Sequence, residues 1–455
     1  MEYAGLIGGV VLLIWLALRG VNIILSSLIC SLLVVMTNGL PLAPSLSEYY
    51  AFGPLGAFTF AGKFFLLFAA GSIFGRVMGD SHAASSIAVA LIRRLGSHRA
   101  LWITTLACAL LTYGGVVAFV VIFAIYPLGL KLLQEANIPK RLFCGALALG
   151  AGTFTLTTLP GTPSIHNVIS SVSLGTDLFA GFWIGIIGGL AMFLMGMWYL
   201  ERERKRAIIN GEGFEPGPGD RISTIDERDY PHWALALLPM VLVISLIILP
   251  RVISMSMDLS TLAEGALLKT LITFANSQPI VWPSIALLAG SVFAALLFSH
   301  VRRDALIVMG HGTHDSIMPL INTAAVIGFG GIVTHTSGFV EFTSAMINSD
   351  LPPLLSAFSS VSLVAAITGS ASGGLQIFMQ TMAPAYIEMG LDPQVLHRIA
   401  AMASGGFDSL PHCGTVVATL TITGLTHKQA YKDIGVITVV IPVVVTVAMI
   451  AFFSL

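Results

Sequence analysis

Charge is what this sequence lacks most: only 10% of its 455 residues are Asp, Glu, Lys or Arg, against about 25% in soluble proteins. That shortage excludes an ordinary soluble enzyme. Neither sign is in excess, since 22 Lys and Arg face 23 Asp and Glu for a net charge of -1, and without a basic field there is nothing to hold nucleic acid. Cysteine is scarce too. Cys30, Cys108, Cys144 and Cys413 lie in or beside apolar stretches with no Cys-x-x-Cys spacing, so neither a disulfide framework nor a zinc site is indicated. Within the apolar stretches there is also no Gly-x-Gly-Asp motif and no Gly-x-Ser-x-Gly nucleophile elbow, which argues against an intramembrane enzyme. No cofactor and no resident metal are expected.

Apolar sequence is what is plentiful. The chain is 56% hydrophobic with a mean hydropathy of +0.90, enough at about 20 apolar residues per crossing for about ten or more spans. An all-α polytopic membrane protein is expected. The start, Met1-Glu2-Tyr3-Ala4, carries an acid where a signal peptide carries basic residues, so residues 4–18 are expected to remain as a first helix. Further uninterrupted runs at about 21–37, 54–75, 175–200, 233–250, 279–299 and 434–454 read as plain spanning helices.

Two apolar stretches, 100–134 and 353–383, are too long for one crossing and are broken at Tyr113-Gly114-Gly115 and at Thr368-Gly369-Ser370-Ala371-Ser372-Gly373-Gly374. A second kind of break follows each, at Thr157-Thr158-Leu159-Pro160-Gly161-Thr162-Pro163 and at Asp408-Ser409-Leu410-Pro411-His412-Cys413-Gly414-Thr415. Pro127 then falls on Pro384, Arg141 on Arg398 and Pro160 on Pro411, at an offset of 251 to 257 residues. The ordered recurrence of two break types predicts a duplicated chain.

Placing Arg76, Arg93, Arg94, Arg99, the Arg202 to Arg206 cluster and Lys428 on the cytoplasmic side puts the N-terminus outside and makes the repeats inverted. Lys131, Lys140 and Arg141 fit this scheme poorly. The expected organisation is N-terminal helices over 1–53, a first repeat over 54–200, a cytoplasmic linker over 201–232, connecting helices over 233–304 and a second repeat over 305–455.

Non-helical backbone is tolerated inside hydrocarbon only where protein buries it or a wet cavity receives it. Four breaks in two matched pairs therefore predict a central hydrated site. Broken helices point free N–H groups and a positive dipole end at the gap, an arrangement suited to a small carboxylate. Candidate binding residues are Thr157, Thr158, Gly161, Thr162 and Asn167 in the first half and Gly369, Ser370, Ser372, Gly373, Ser409, Gly414 and Thr415 in the second. The alternative for each hydroxyl is that it bonds back to its own helix. His412, or else Asp408, is the candidate carrier of a coupled proton. Lys63, inside an apolar run where an unpaired charge costs about 3 kcal/mol, is expected to pair or snorkel. His311-Gly312-Thr313-His314-Asp315 is read as a helix N-terminus or a proton relay rather than a metal site.

Several of these residues carry a resemblance. Gly406 to Gly414, continued by Thr423-Gly424-Leu425-Thr426-His427 and Tyr431-Lys432-Asp433-Ile434, is similar to the gluconate permease family of proton-coupled organic-acid symporters. So are Gly62-Lys63-Phe64-Phe65-Leu66, Phe74-Gly75-Arg76, Asn322-Thr323-Ala324 and Thr368 to Gly374. The Leu-Pro-His motif followed by Thr-Gly-Leu-Thr-His resembles the branch that includes 3-hydroxybutyrate permeases, with Cys413 where that motif has Asn and His82 where Gly is usual. The resemblance implies two inverted repeats with re-entrant hairpins and broken transmembrane helices, and a homodimer with moving, elevator-like transport domains in the bacterial inner membrane. It implies proton symport of a small organic-acid anion, 3-hydroxybutyrate- or gluconate-like. Sodium coupling is the alternative, because broken-helix carbonyls bind that ion well.

Overall fold

The computed structural model describes residues 2–96, 99–116, 118–217, 230–257, 266–411 and 413–453. Every regular element among them is helical. Five stretches are long and apolar enough to cross hydrocarbon: Leu42–Asp80, Phe182–Ile209, Trp233–Ser254, Ala305–Val333 and His427–Phe453. Leu267–Ser277 and Val281–Leu297, bent by 107°, add a sixth if counted as one broken span. This is fewer than the expected ten because much of the apolar sequence goes into helices of 10–17 residues, such as Ile165–Leu174 and Gly414–Thr423. At 1.5 Å per residue, ten residues reach about 15 Å, half the hydrocarbon thickness.

The centre is a pair of long helices, Ala57–Asp80 and Ala305–Val333, packed along each other. Glycine lets them approach: a Cβ on Gly312 would lie 2.7 Å from the Ile73 Cα, a contact only small residues permit. Because Ala305–Val333 is continuous, His311 to Asp315 sit mid-helix and not at a helix start; Thr313 bonds back to the Met309 carbonyl. Lys63 is exposed, its Nζ 5.7 Å from the Phe64 ring centroid.

Two arms flank this pair, with elements in matching order. The first runs Ala100–Tyr113, a turn at Gly114 and Gly115, Ala118–Ala136, Lys140–Gly152, an unwound stretch, then Ile165–Leu174. The second runs Pro353–Thr368, a turn at Gly369 and Ser370, Ala371–Thr381 followed by the short helix Ala383–Glu388, then Pro393–Ser404, an unwound stretch and Gly414–Thr423. Both half-length helices stop on a left-handed glycine, Gly175 with φ 64° and Gly424 with φ 66°, as helices commonly do. Helix resumes at Ala371, so Ser372, Gly373 and Gly374 belong to its first turns and not to the break itself.

The arms fasten each other. Lys140, from the first, donates to the Thr423 carbonyl at 2.9 Å. Arg398, from the second, donates to the carbonyls of Ala180, Thr158 and Leu178 at 2.8, 3.1 and 3.2 Å. Arg141 pairs with Asp433 at 2.6 Å and with Glu212 at 2.8 Å, and Glu203 pairs with Arg206 and Lys432. Lys140 and Arg141 therefore lie at the same end as the Arg202 to Arg206 cluster, which removes their misfit with the charge distribution. Helix Phe182–Ile209 carries on past residue 200, so the charged residues Glu201 to Arg206 are helical.

Candidate functional site

Three short helices open onto one cavity of about 530 Å3. Their N-cap residues, Ser164 before Ile165–Leu174, Ser370 before Ala371–Thr381 and Cys413 before Gly414–Thr423, all line it. Each helix start leaves backbone N–H groups without intrahelical partners, and together they give this cavity a positive end. The three are capped to different degrees. Ser164 Oγ accepts the Asn167 N–H at 3.3 Å and Ser370 Oγ accepts the Gly373 N–H at 3.2 Å, whereas Cys413 makes no side-chain cap hydrogen bond. The Gly414 turn is the open one.

Asp408 lines the same cavity. Its carboxyl accepts the Ser409 hydroxyl at 3.0 Å, and it shares the cavity wall with the Ala371 helix start. Apolar side chains, among them Leu67, Phe68, Leu287 and Met318, form other parts of the wall. Between these lie Asn322 and Thr323, just beyond Pro319, and His166 from the first arm. The Thr323 hydroxyl donates to the Pro319 carbonyl at 2.9 Å.

Of the residues chosen from sequence, Gly369, Ser370, Ser372, Asp408, Gly414 and Thr415 line the cavity. Thr157, Thr158, Gly161, Thr162, Asn167, Gly373 and Ser409 are not among its lining residues, and His412 lies outside the described residues. The first break is closed by the protein itself. Thr157 bonds back to the Thr153 carbonyl at 3.2 Å, and Thr158 gives its carbonyl to Arg398. Gly161 donates to the Leu178 carbonyl. Asn167 donates to the carbonyls of Thr162 and Leu178 at 2.9 Å each and meets His397 Nε2 at 2.7 Å. Glycines make room for this clamp: a Cβ on Gly181 would lie 2.5 Å from the Arg398 Cβ, and one on Gly185 2.7 Å from the Thr158 oxygen. In the second half, Gly373 packs against Val326, and the Ser409 carbonyl accepts from Tyr431 at 3.1 Å.

Sequence reasoning passed over Ser164 and assigned no role to Asn322. Ser164 had a readable signal, a hydroxyl directly before an apolar helix. Asn322 had none, because its helix is unbroken.

A family model described as GntP family permease matches residues 2–455. The chain belongs to the GntP permease family. An uncharacterized transporter of Bacillus subtilis, YxjC, is 37% identical over 98% of this permease and 97% of the relative. A high-affinity gluconate transporter of Escherichia coli is 24% identical over 87% and 86%. Among solved structures, the YdaH transporter of Alcanivorax borkumensis superposes with a TM-score of 0.56, at 13% identity, over 87% of the permease and 86% of that chain. MtrF of Neisseria gonorrhoeae, described among antimetabolite efflux pumps, gives 0.54 at 12% identity over 90% and 83%. At such identities these two establish the fold, that of a multi-pass membrane transporter.

Proposed function

We propose that this permease is a proton-coupled symporter of a small hydroxy-monocarboxylate, 3-hydroxybutyrate- or gluconate-like. The observation that carries this reading is the meeting of three helix N-termini at one cavity that also contains Asp408. The name of the Escherichia coli relative supports an organic-acid substrate. In this reading the substrate carboxylate docks on the open Gly414 and Thr415 turn, with Ser370 and Ser372 beside it. Apolar groups such as Leu67, Phe68 and Met318 favour a short alkyl chain over one with a hydroxyl on every carbon, since each unpaired hydroxyl costs free energy when buried.

Asp408 is the proposed proton carrier, with His412 the alternative. While ionised it repels an incoming carboxylate. Once protonated it adds no second negative charge, so site and substrate cross with less electrostatic cost. Sodium is the weaker choice because the Thr158 carbonyl of the first break, like those of Leu178 and Ala180 beyond the next helix, already accepts from Arg398. The matched arms support reading the chain as an inverted duplication. The homodimer, the moving transport domains and the bacterial inner membrane come with the family resemblance.

Uptake into proteoliposomes tests the reading. An inward pH gradient should drive accumulation of labelled 3-hydroxybutyrate or gluconate without sodium. Accumulation under a sodium gradient alone would move the assignment to sodium coupling, and uptake that only equilibrates would make the protein a passive channel.

A further inference from the structure

Among the described residues, several buried side-chain atoms have no hydrogen-bond partner, and only two of the residues that bear them line the cavity: His166, through both ring nitrogens, and Asn322, through Oδ1. His166 is 4% exposed. Buried polar groups are almost always satisfied, and leaving one unmet is destabilising. The two residues come from different elements, the start of Ile165–Leu174 and the middle of Ala305–Val333, and neither has a partner among the described residues.

We propose that His166 and Asn322 form the hydroxyl-recognition end of this cavity. The inference rests on the organic-acid reading above and adds residue roles to it. Asn322 Oδ1 accepts only, so its partner must be a donor, which an ionised carboxylate is not. A neutral imidazole offers one N–H and one lone pair. An alcohol meets both demands, donating to Asn322 Oδ1 and accepting from the imidazole N–H. The carboxylate is left to the helix starts at Ser370 and Gly414, and the ligand is thereby required to carry a hydroxyl apart from its acid group. His166 is held for this task from behind: the next residue, Asn167, is tied to Thr162, Leu178 and His397. The first break thus serves the site chiefly by fixing a ligand residue, while Pro163 and Ser164 at its end line the cavity.

Binding of 3-hydroxybutyrate and of butyrate, which differ by that hydroxyl, to the full-length permease in nanodiscs tests the assignment. The wild type should prefer the hydroxy acid at least tenfold, since sites built for a hydroxyl reject analogues lacking it. His166→Leu and Asn322→Leu should each weaken 3-hydroxybutyrate binding to the butyrate level while butyrate binding stays within about twofold. Retained tenfold preference in both variants overturns the assignment, as does a wild type that binds the two acids equally. Should His166→Leu lose butyrate binding and its folded state as well, His166→Gln, which keeps a donor and an acceptor, decides: partial recovery of preference supports the role, and full preference overturns it. A wild type that binds neither acid nor gluconate sinks the substrate reading itself, an outcome distinct from the others.

Discussion

The Thr158 carbonyl in the first break, and those of Leu178 and Ala180 just after the half-length helix that follows it, all accept from Arg398, and Asn167 spans the gap to His397. In the second, Asp408, Cys413 and Thr415 face open space. The two stretches share a Leu-Pro pair, a following helix of ten residues and a terminal left-handed glycine, so local sequence does not set them apart. What differs is whether a side chain from the other arm reaches in. Where it does, unwound backbone is a brace; where it does not, the same backbone is a binding surface.

The difference is broken most severely by Arg398→Ala. Two carbonyls, those of Thr158 and Ala180, lose their donor inside the protein, each at about 1–3 kcal/mol, while Leu178 keeps Gly161 and Asn167, so stability in detergent should fall by at least about 2 kcal/mol. Arg398→Lys should rescue little, because a single ammonium cannot replace a planar fork. Normal melting of either variant would show that the first break needs no clamp.

Asp408→Asn sharpens the contrast next. It should melt like the wild type yet lose accumulation driven by a pH gradient at least tenfold, while exchange of substrate across the membrane continues. Undiminished accumulation removes Asp408 from the coupling step. Smaller still is a matched pair of hydroxyl deletions. Thr415→Val should weaken binding about tenfold with little change in stability, and Thr157→Val should leave affinity alone and cost no more than about 1 kcal/mol. Reversed effects would exchange the roles of the two breaks. Cys413→Asn is the mildest change: the amide caps the Gly414 helix, raising stability by about 1 kcal/mol and lowering affinity by occupying N–H groups that the substrate uses.

The positions of the breaks were legible because Gly or Pro clusters there with hydroxyl residues, whereas Pro239, Pro250 and Pro319 stand singly inside continuous helices. Their use was not. Thr157 and Thr158 carry the same hydroxyl as Ser370, Ser372 and Thr415, since the chemistry that binds an anion also satisfies a helix end. Only the partner distinguishes them, and Arg398 and His397 lie more than 200 residues away in sequence. Composition likewise overcounts spans, because half-length helices spend apolar residues without crossing. Asn322 and His166 escaped for a related reason: an unpaired atom is visible only when its surroundings are known.

The reciprocal fastening of the arms also sets an order of events at the ribosome. Arg398 is made 218 residues after Ala180, and at about 5–20 residues per second the first arm waits on the order of 10–40 s for its clamp. Thr423 waits for nothing, because Lys140 has been in place all along. Biogenesis of this permease is therefore lopsided, with an early arm that must be sheltered by the insertion machinery and a late arm that locks as it arrives.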